Sequence, residues 1–441
     1  MKKLIPLLLL SPFTEVSADP CGMVPPITVA SAETAVVRSG AQRTYMFFKD
    51  GMETIALRPG FEGNIDNFGM LIPFPNPPAI RKIEDDTFAH IEAAIDPPKV
   101  KVHIYEDYPD EEMEDGGAMP PPSPRKKTEK GLQYNEIRVL KEEAVGMYQV
   151  AVLQAGSSGA LKKWMDKNGY KYPTGMDEVT NEYVAIQWCF VAVKATVGQA
   201  PGVEPKPGMR DVNPKLPDGA SFDGYVQGMA FRFPTDEPVI PMRLSVFNGK
   251  DPRNIVYALT EKPVKINNIS EDLVLRQVNG DNLHHNVTKP LQVEYLNGTK
   301  SEVKNKYDLD RIKKQRDQTK FNSIARDLFA SDLLALRQQS LSLPHEETEK
   351  DLLRVSESFG LRGPEVDKLH LQESKTAREV AVQGALDDLN EMSISVIDGT
   401  FSGEVLAREN LSFSSFTMPK EDNTRRNDSI RPNDISLTVY R

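Results

Sequence analysis

Histidine is the residue type in this chain that could most readily bind a metal ion or transfer a proton near neutral pH. His284 and His285 are adjacent, and neighbours on a strand point to opposite faces, so they cannot readily share one ion there. In a loop they could, but without cysteines or paired carboxylates beside them a solvated pair is the favoured interpretation. No metal site is predicted. The six histidines are His90, His103, His284, His285, His345 and His370.

The two cysteines, Cys21 and Cys189, are the candidates for covalent chemistry. A nucleophilic cysteine needs a thiolate and a nearby base, whereas Trp188 and Phe190 flank Cys189 and indicate a buried, inert thiol. In an oxidising compartment the two cysteines could instead form one disulfide that closes a very long loop. The alternative is that Cys189 is a small buried hydrophobe and Cys21 is free. Both interpretations stay open.

Motifs of the common hydrolases and nucleotide-binding enzymes are absent from the sequence. There is no Gly-x-Ser-x-Gly turn, no glycine-rich phosphate loop after a strand and no His-Glu-x-x-His pair. Asp85 and Asp86 could act as acid and base in glycoside hydrolysis, but a helix cap explains them better. No catalytic residue, cofactor or metal ligand is therefore assigned.

Seven carboxylates lie within the ten residues from Glu106 to Asp115. They could bind calcium or dock a partner, but they lack the Asp-x-Asp-x-Asp-Gly order that wraps an EF-hand ion. A proline-rich stretch with lysine and arginine follows, up to Lys130. We interpret residues 106–130 as a flexible, charged and solvated loop.

Length, charge and the first residues limit organisation and location. The 441 residues allow roughly two or three domains, and a net charge of −10 does not attract phosphate backbones, so no nucleic-acid partner is expected. Residues 1–18 have the parts of a signal peptide: two lysines in Met1 to Lys3, an apolar run from Leu4 to Leu10, and slim residues from Val16 to Ala18. We expect cleavage after Ala18 and a periplasmic or extracellular mature chain without a transmembrane segment.

Period-two alternation predicts more strands than helices up to about residue 300. Asp50-Gly51 between two alternating runs is typical of a hairpin turn. Apolar residues at spacings of three and four predict helices ending near Ile95 and Asn168. The short spacings favour an α+β fold with a mixed, largely antiparallel β-rich domain over residues 19–300. Other predicted strands are Phe68–Ile72, Lys99–Tyr105, Tyr183–Ala195 and Val239–Phe247.

A change in composition near residue 300 marks a second region. Charged residues with apolar ones at helical spacing predict a helix from about Asp308 to Gln339, within a helical extension over residues 301–390. Asp398-Gly399 then predicts a hairpin within Ile394–Leu406. Residues 391–441 are expected to hold this short hairpin and a loose C-terminal tail.

Several short segments occur in a characteristic order along the first part of the chain. They include Cys21-Gly22, Arg43 to Phe48, Gly60-Phe61-Glu62-Gly63, Leu161 to Met165, Phe190 to Lys194 and Glu237 to Leu244. In this order they resemble domain of unknown function 2330, an uncharacterised family of exported bacterial proteins, over about residues 21–260. The resemblance implies an envelope protein without an established activity, and it supplies no catalytic residue.

Export and the missing catalytic motifs favour a non-catalytic binding or interaction protein of the cell envelope. Its partner would be an envelope protein or a glycan, and residues 301–390 would offer a second contact surface or a self-association face. The alternative is a secreted hydrolase of unrecognised type, which would need His90, His103 or Cys189 in a cleft with a carboxylate.

Overall fold

The computed structural model places two β-sheets face to face between layers of helices. It describes residues 37–38, 42–58, 61–62, 67–105, 137–145, 148–196, 228–248, 253–267, 269, 273–317, 320–337, 379–424 and 432–440. The strands are β1 (Val37–Arg38), β2 (Gln42–Lys49), β3 (Met52–Leu57), β4 (Phe61–Glu62), β5 (Asn67–Phe74), β6 (Ala79–Lys82), β7 (Val100–Tyr105), β8 (Ile137–Val145), β9 (Tyr148–Ala155), β10 (Cys189–Thr196), β11 (Met229–Pro234), β12 (Val239–Ile240), β13 (Arg253–Thr260), β14 (Val264–Ile266), β15 (Val274–Asn279), β16 (Val293–Leu296), β17 (Ser393–Thr400), β18 (Leu411–Ser415) and β19 (Ile435–Tyr440). The helices are α1 (Thr87–Ile95), α2 (Ser158–Lys167), α3 (Met176–Ala185), α4 (Gly280–Thr288), α5 (Lys306–Asp317), α6 (Lys320–Arg337), α7 (Gly403–Arg408) and α8 (Lys420–Asn423), and residues 379–386 are also helical.

A seven-stranded sheet, in the order β15-β17-β13-β2-β3-β11-β6, forms the centre of the molecule. The β13–β2 pair is parallel and the other neighbouring pairs are antiparallel. Strands β2 and β3 form the predicted hairpin, in which Asp50 and Gly51 have φ angles of 51° and 73°, as a type I′ turn requires. The predicted α+β fold with largely antiparallel sheets is confirmed.

A four-stranded sheet, β5-β10-β9-β8, packs on one face of the central sheet. Because strand side chains alternate between faces, Val191 lies in the core between the two sheets, whereas the adjacent Phe190 packs with α2 and α3. Strand β5 continues through Pro73, where the sequence predicted its end. Proline is tolerated there because, within the described part of the chain, β5 pairs only with β10 and is an edge strand.

Helices α1, α4, α6 and residues 379–386 cover the opposite face of the central sheet. Tyr45 and Phe47 of β2 share this core with Phe329 and Leu333 of α6. The segment predicted as one helix from about Asp308 to Gln339 contains two helices, α5 and α6. The apolar face of α6 is buried in the core. Self-association through residues 301–390 stays a prediction. A small parallel sheet, β16-β7-β19, packs on α5.

The predicted hairpin at Asp398-Gly399 is wrong, because both residues lie within the continuous strand β17. Arg253 Nε and Nη2 donate to the two Asp398 carboxylate oxygens at 3.0 and 2.6 Å. A Cβ at Gly399 would lie 3.1 Å from Ile269 Cδ1, so this glycine makes room for a neighbour and does not form a turn. Strand β17 lies between β13 and β15, and the central sheet thus contains strands from both sides of the predicted boundary at residue 300.

Two other predicted strands are wrong over part of their length. In the predicted strand Tyr183–Ala195, the residues up to Ala185 belong to α3 and the strand begins at Cys189. In the predicted strand Val239–Phe247, β12 ends at Ile240 and a 3-10 helix follows at Arg243–Asn248. Short apolar runs are compatible with buried helices as well as strands, and here tertiary packing selects the helix.

Candidate functional site

An open cleft of about 570 Å³ lies at one end of the sandwich of two sheets. Connections from distant parts of the chain meet there: the β2–β3 turn, the segment after β5, the α3–β10 connection and the β11–β12 connection. We call it the sandwich-end cleft. Its lining residues are Gly51, Pro75, Asn76, Trp188, Pro234, Thr235, Asp236, Glu237 and Val239.

Hydrogen bonds hold the connections around the sandwich-end cleft together. The Thr235 N–H donates to the Gly51 carbonyl at 3.0 Å, which ties the β11–β12 connection to the β2–β3 hairpin. Asn76 Nδ2 donates to the Pro234 carbonyl at 2.9 Å, which ties the same connection to the end of β5. These bonds join connections from both sheets, so the cleft is preformed. Most small-ligand sites in proteins are preformed in the same way.

The end of helix α3 positions Trp188 at the cleft. The Gln187 N–H donates to the Val184 carbonyl at 3.0 Å and the Trp188 N–H donates to the Tyr183 carbonyl at 2.9 Å, which is the hydrogen-bond pattern of a Schellman motif. Gln187 has a φ of 61°, in the left-handed region that favours glycine. The rings of Trp188 and Tyr183 lie 5.0 Å apart and complete the hydrophobic contact of this motif.

The side chains at the cleft favour positively charged ligands. Asp236 and Glu237 are exposed and line the same cleft as the half-buried Trp188. An indole face attracts a lysine or arginine cation through its quadrupole, and a carboxylate accepts charge-assisted hydrogen bonds from the same groups. The cleft thus brings together three side chains of the types that bind cationic groups.

Glu53 of β3 adjoins the cleft and has no exposed surface. Its Oε2 accepts a hydrogen bond from the Val239 N–H at 3.0 Å, whereas its Oε1 has no hydrogen-bond partner among the described residues. Burial raises the pKa of Glu53 well above its ordinary value, against the smaller opposing effect of the bond from Val239. The protonated, neutral form is thus favoured at this position.

A second buried polar cluster lies on the helical side of the central sheet. Arg232 Nη1 lies 3.1 Å from Asp332 Oδ1, and both side chains are fully buried. Tyr45 Oη and Thr54 Oγ1 donate to the two Asp332 oxygens at 2.9 and 2.7 Å. Arg232 Nε and Nη2 have no hydrogen-bond partner among the described residues. The cluster joins α6 to strands β2, β3 and β11, and we assign it a structural role.

Cys189 is a buried thiol on β10 with no disulfide partner among the described residues. Its Sγ donates to the Phe74 carbonyl at 3.5 Å, and burial raises the pKa of the thiol to about 12. A reactive thiolate is therefore disfavoured. Cys21 lies outside the described residues, so the Cys21–Cys189 disulfide stays a prediction. The carboxylate run of residues 106–115 and residues 1–18 also lie outside the described part of the chain.

The histidines are spread over separate parts of the fold. His90 is buried in α1, where burial lowers its pKa, and His103 lies on β7 of the small sheet. His284 Nε2 lies 3.5 Å from Asp387 Oδ1, and the adjacent His285 lines a different, smaller cleft. Among the described residues, no group of three or more His, Cys, Asp or Glu side chains could hold a metal ion. Outside the described residues lie His345 and His370.

Local sequence patterns do not indicate the sandwich-end cleft. In the sequence, Trp188 is distinguished only as a neighbour of Cys189, and Asp236 and Glu237 belong to an ordinary polar turn between strands. The one general indication of such a site is that binding residues are often found on the loops that connect strands and helices. Which connections meet depends on strand order, and strand order is not readable from the local pattern.

The layered fold and its preformed surface cleft define an α+β protein with a candidate binding site. The model of an uncharacterised protein family conserved in bacteria, domain of unknown function 2330, matches residues 17–314. The chain belongs to this family, as the resemblance over residues 21–260 predicted. No described helix has the length and apolarity needed to span a membrane.

Comparisons with individual proteins add little to this assignment. No curated protein matches the chain. The crystal structure of baculovirus P35 is similar over 58% of this chain and 80% of that chain, with 10% sequence identity and a TM-score of 0.25. At this TM-score the similarity carries no argument about fold or function.

Proposed function

We propose that the protein is a non-catalytic binding protein of the bacterial envelope and that the sandwich-end cleft binds a cationic segment of an envelope protein. Membership of a bacterial family and the signal-peptide pattern of residues 1–18 support this location. The mature chain then acts in the periplasm or outside the cell.

One observation carries the proposal: an indole side chain and two exposed carboxylates line the same preformed cleft. Trp188 offers a cation–π contact, while Asp236 and Glu237 offer ion pairs to a lysine or arginine. The net charge of −10 adds a long-range attraction for cationic partners.

The separation of His90, His103 and Cys189 supports binding over hydrolysis. The three residues lie on helix α1, on the small parallel sheet and on the four-stranded sheet, respectively. A hydrolase with these groups would need a nucleophile and a base within hydrogen-bond reach of each other. The cleft itself is lined by carboxylates, an indole and prolines, a set suited to binding.

Fluorescence from Trp188 tests the proposal directly. The chain has two tryptophans, so Trp164→Phe leaves Trp188 as the single indole fluorophore. A peptide of alternating lysine and alanine should shift or quench its emission, with an affinity that falls as salt concentration rises. Neutralising the cleft with Asp236→Asn and Glu237→Gln together should weaken this binding by about tenfold or more.

A matched control removes the same charge elsewhere. Asp166→Asn with Glu178→Gln neutralises exposed carboxylates on α2 and α3 and should leave the affinity within about twofold. In the native envelope, crosslinking and mass spectrometry should recover a stoichiometric partner with the natural cleft and lose it with the neutralised cleft. Equal weakening by the control pair, or emission that the peptide does not alter, would contradict the proposal.

A further inference from the structure

The small parallel sheet has one face that no helix covers among the described residues. Along β7, Val100, Val102 and Ile104 are buried against the core around α5. Because side chains alternate, Lys101, His103 and Tyr105 project from the opposite face. We call this opposite side the open face of the small sheet.

Aromatic rings dominate the open face. The His103 and Tyr105 rings are nearly parallel, with an interplanar angle of 9° and centroids 6.3 Å apart. Tyr440 of β19 is the register partner of Tyr105, and the two tyrosines are 43% and 46% exposed. Aromatic side chains with this much exposure offer flat apolar contact area to a ligand.

The charged side chains of the open face are paired. Glu294 of β16, the register partner of Lys101, lies 3.3 Å from Lys99 Nζ through its Oε2. Lys101 Nζ lies 2.7 Å from Asp434 Oδ2, so an ion pair within the protein neutralises the lysine charge. Ser436 and Thr438 of β19 lie exposed on the same side as Tyr440 and contribute hydroxyl groups. The face therefore combines stacked rings with neutral hydrogen-bonding groups.

We propose that the open face binds a neutral glycan, in addition to the proposed ligand of the sandwich-end cleft. A sugar ring presents an apolar C–H surface that suits an aromatic face, and its hydroxyls suit the flanking serine and threonine. Single-stranded nucleic acids also stack on aromatic sheet faces, but their binding requires a basic groove. Here the lysine of the face is already paired and the chain has a net charge of −10.

Calorimetric titration of the full chain with cellotetraose and chitotetraose tests this inference. At least one of the two tetrasaccharides should bind, and Tyr105→Ala or Tyr440→Ala should weaken that binding by about tenfold or more. Tyr105→Phe retains the ring and should stay within about threefold of the natural chain. Tyr307→Ala is the control, because Tyr307 is 71% exposed but lies on α5, outside the open face.

Three results would overturn the inference. The first is that neither tetrasaccharide binds at millimolar concentration, and the second is that binding survives both Tyr105→Ala and Tyr440→Ala. The third is binding of an oligothymidylate that these substitutions abolish, which would assign the face to nucleic acid. Unfolding transitions of all variants, followed by circular dichroism, show whether a loss of binding comes from a loss of folding.

Discussion

The helical side of the central sheet and the sandwich-end cleft differ in whether a buried ionisable group has a counter-ion and in whether the backbone is strained. On the helical side, the buried Arg232 has Asp332 as its counter-ion, and two hydroxyl groups donate to the same carboxylate. Arg232 Nε and Nη2 have no hydrogen-bond partner among the described residues, but the charge itself is paired. At the cleft, the buried Glu53 has no counter-ion among the described residues, and Gln187 adopts a left-handed conformation.

This difference separates a region that stabilises the fold from one that is available for function. Strained backbone conformations and carboxyl groups with a raised pKa cluster at functional sites, where something other than stability retains them. Substitutions that remove partners on the helical side should therefore destabilise the protein. Substitutions that relieve Glu53 or Gln187 near the cleft should stabilise it.

Removal of all residues after 300 is the largest expected perturbation of the helical side. A chain of residues 19–300 lacks β17, which lies between β13 and β15, and lacks Asp332 of α6. We expect it to lose cooperative unfolding in thermal circular dichroism, whereas a chain of residues 19–441 retains it. A cooperative transition in the shorter chain would instead establish the independent domain over residues 19–300 that composition predicts.

Asp332→Ala is the next largest expected effect, because it leaves the buried Arg232 charge without its counter-ion. The loss in the free energy of unfolding should be about 3–5 kcal/mol, measured by urea denaturation. Asp388→Ala is the control. It removes a carboxylate from a partly exposed ion pair with Arg337 and should cost about 0–1 kcal/mol.

A double substitution sharpens this test of the helical side. Arg232→Met with Asp332→Leu replaces the pair by apolar side chains and should be less destabilising than Asp332→Ala alone, because no buried charge is left unpaired. Equal and small effects of Asp332→Ala and Asp388→Ala would remove the contrast between the two regions.

Local patterns predict many elements of this fold but not how the elements pair. The Asp50-Gly51 hairpin and helices α1 and α2 follow from turn chemistry and apolar spacing, and the structure confirms them. The Asp398-Gly399 prediction is wrong because glycine there serves close packing inside a strand. Identical dipeptides thus have different roles, and tertiary contacts decide between them.

The candidate site is harder to predict than the fold for the same reason. Trp188 and Glu237 are 49 positions apart and line the same cleft because β10 begins and β11 ends at the same end of the two packed sheets. A buried residue such as Arg232 gives no indication in sequence that its partner lies on α6, 100 positions later. Sequence supplies the export pattern, the family and the residue types, whereas long-range pairing creates the site.

Glu53→Gln should stabilise the protein by about 1–3 kcal/mol at pH 8, because the amide is neutral at every pH, whereas the ionised carboxylate of the unfolded chain must take up a proton or be buried with its charge on folding. A carboxyl whose pKa is raised on folding contributes full stability below the unfolded-state pKa, about 4.3, and loses it as pH rises through the folded-state pKa. The difference between the two proteins should therefore be smallest near pH 4 and widen with rising pH. Urea denaturation at several pH values measures it, with the exposed Glu237→Gln as the control; a difference that does not change with pH would contradict the prediction.

Gln187→Gly should have the smallest effect, a gain of about 0.5–1 kcal/mol in the free energy of unfolding. Glycine adopts the observed φ of 61° without the steric penalty of a side chain, although its greater freedom in the unfolded chain offsets part of the gain. Gln187→Ala is the control, because alanine keeps the Cβ and should give no gain. Equal stability of the two variants would show that the left-handed residue beside Trp188 carries no strain, and the cleft would then differ from the helical side only through Glu53.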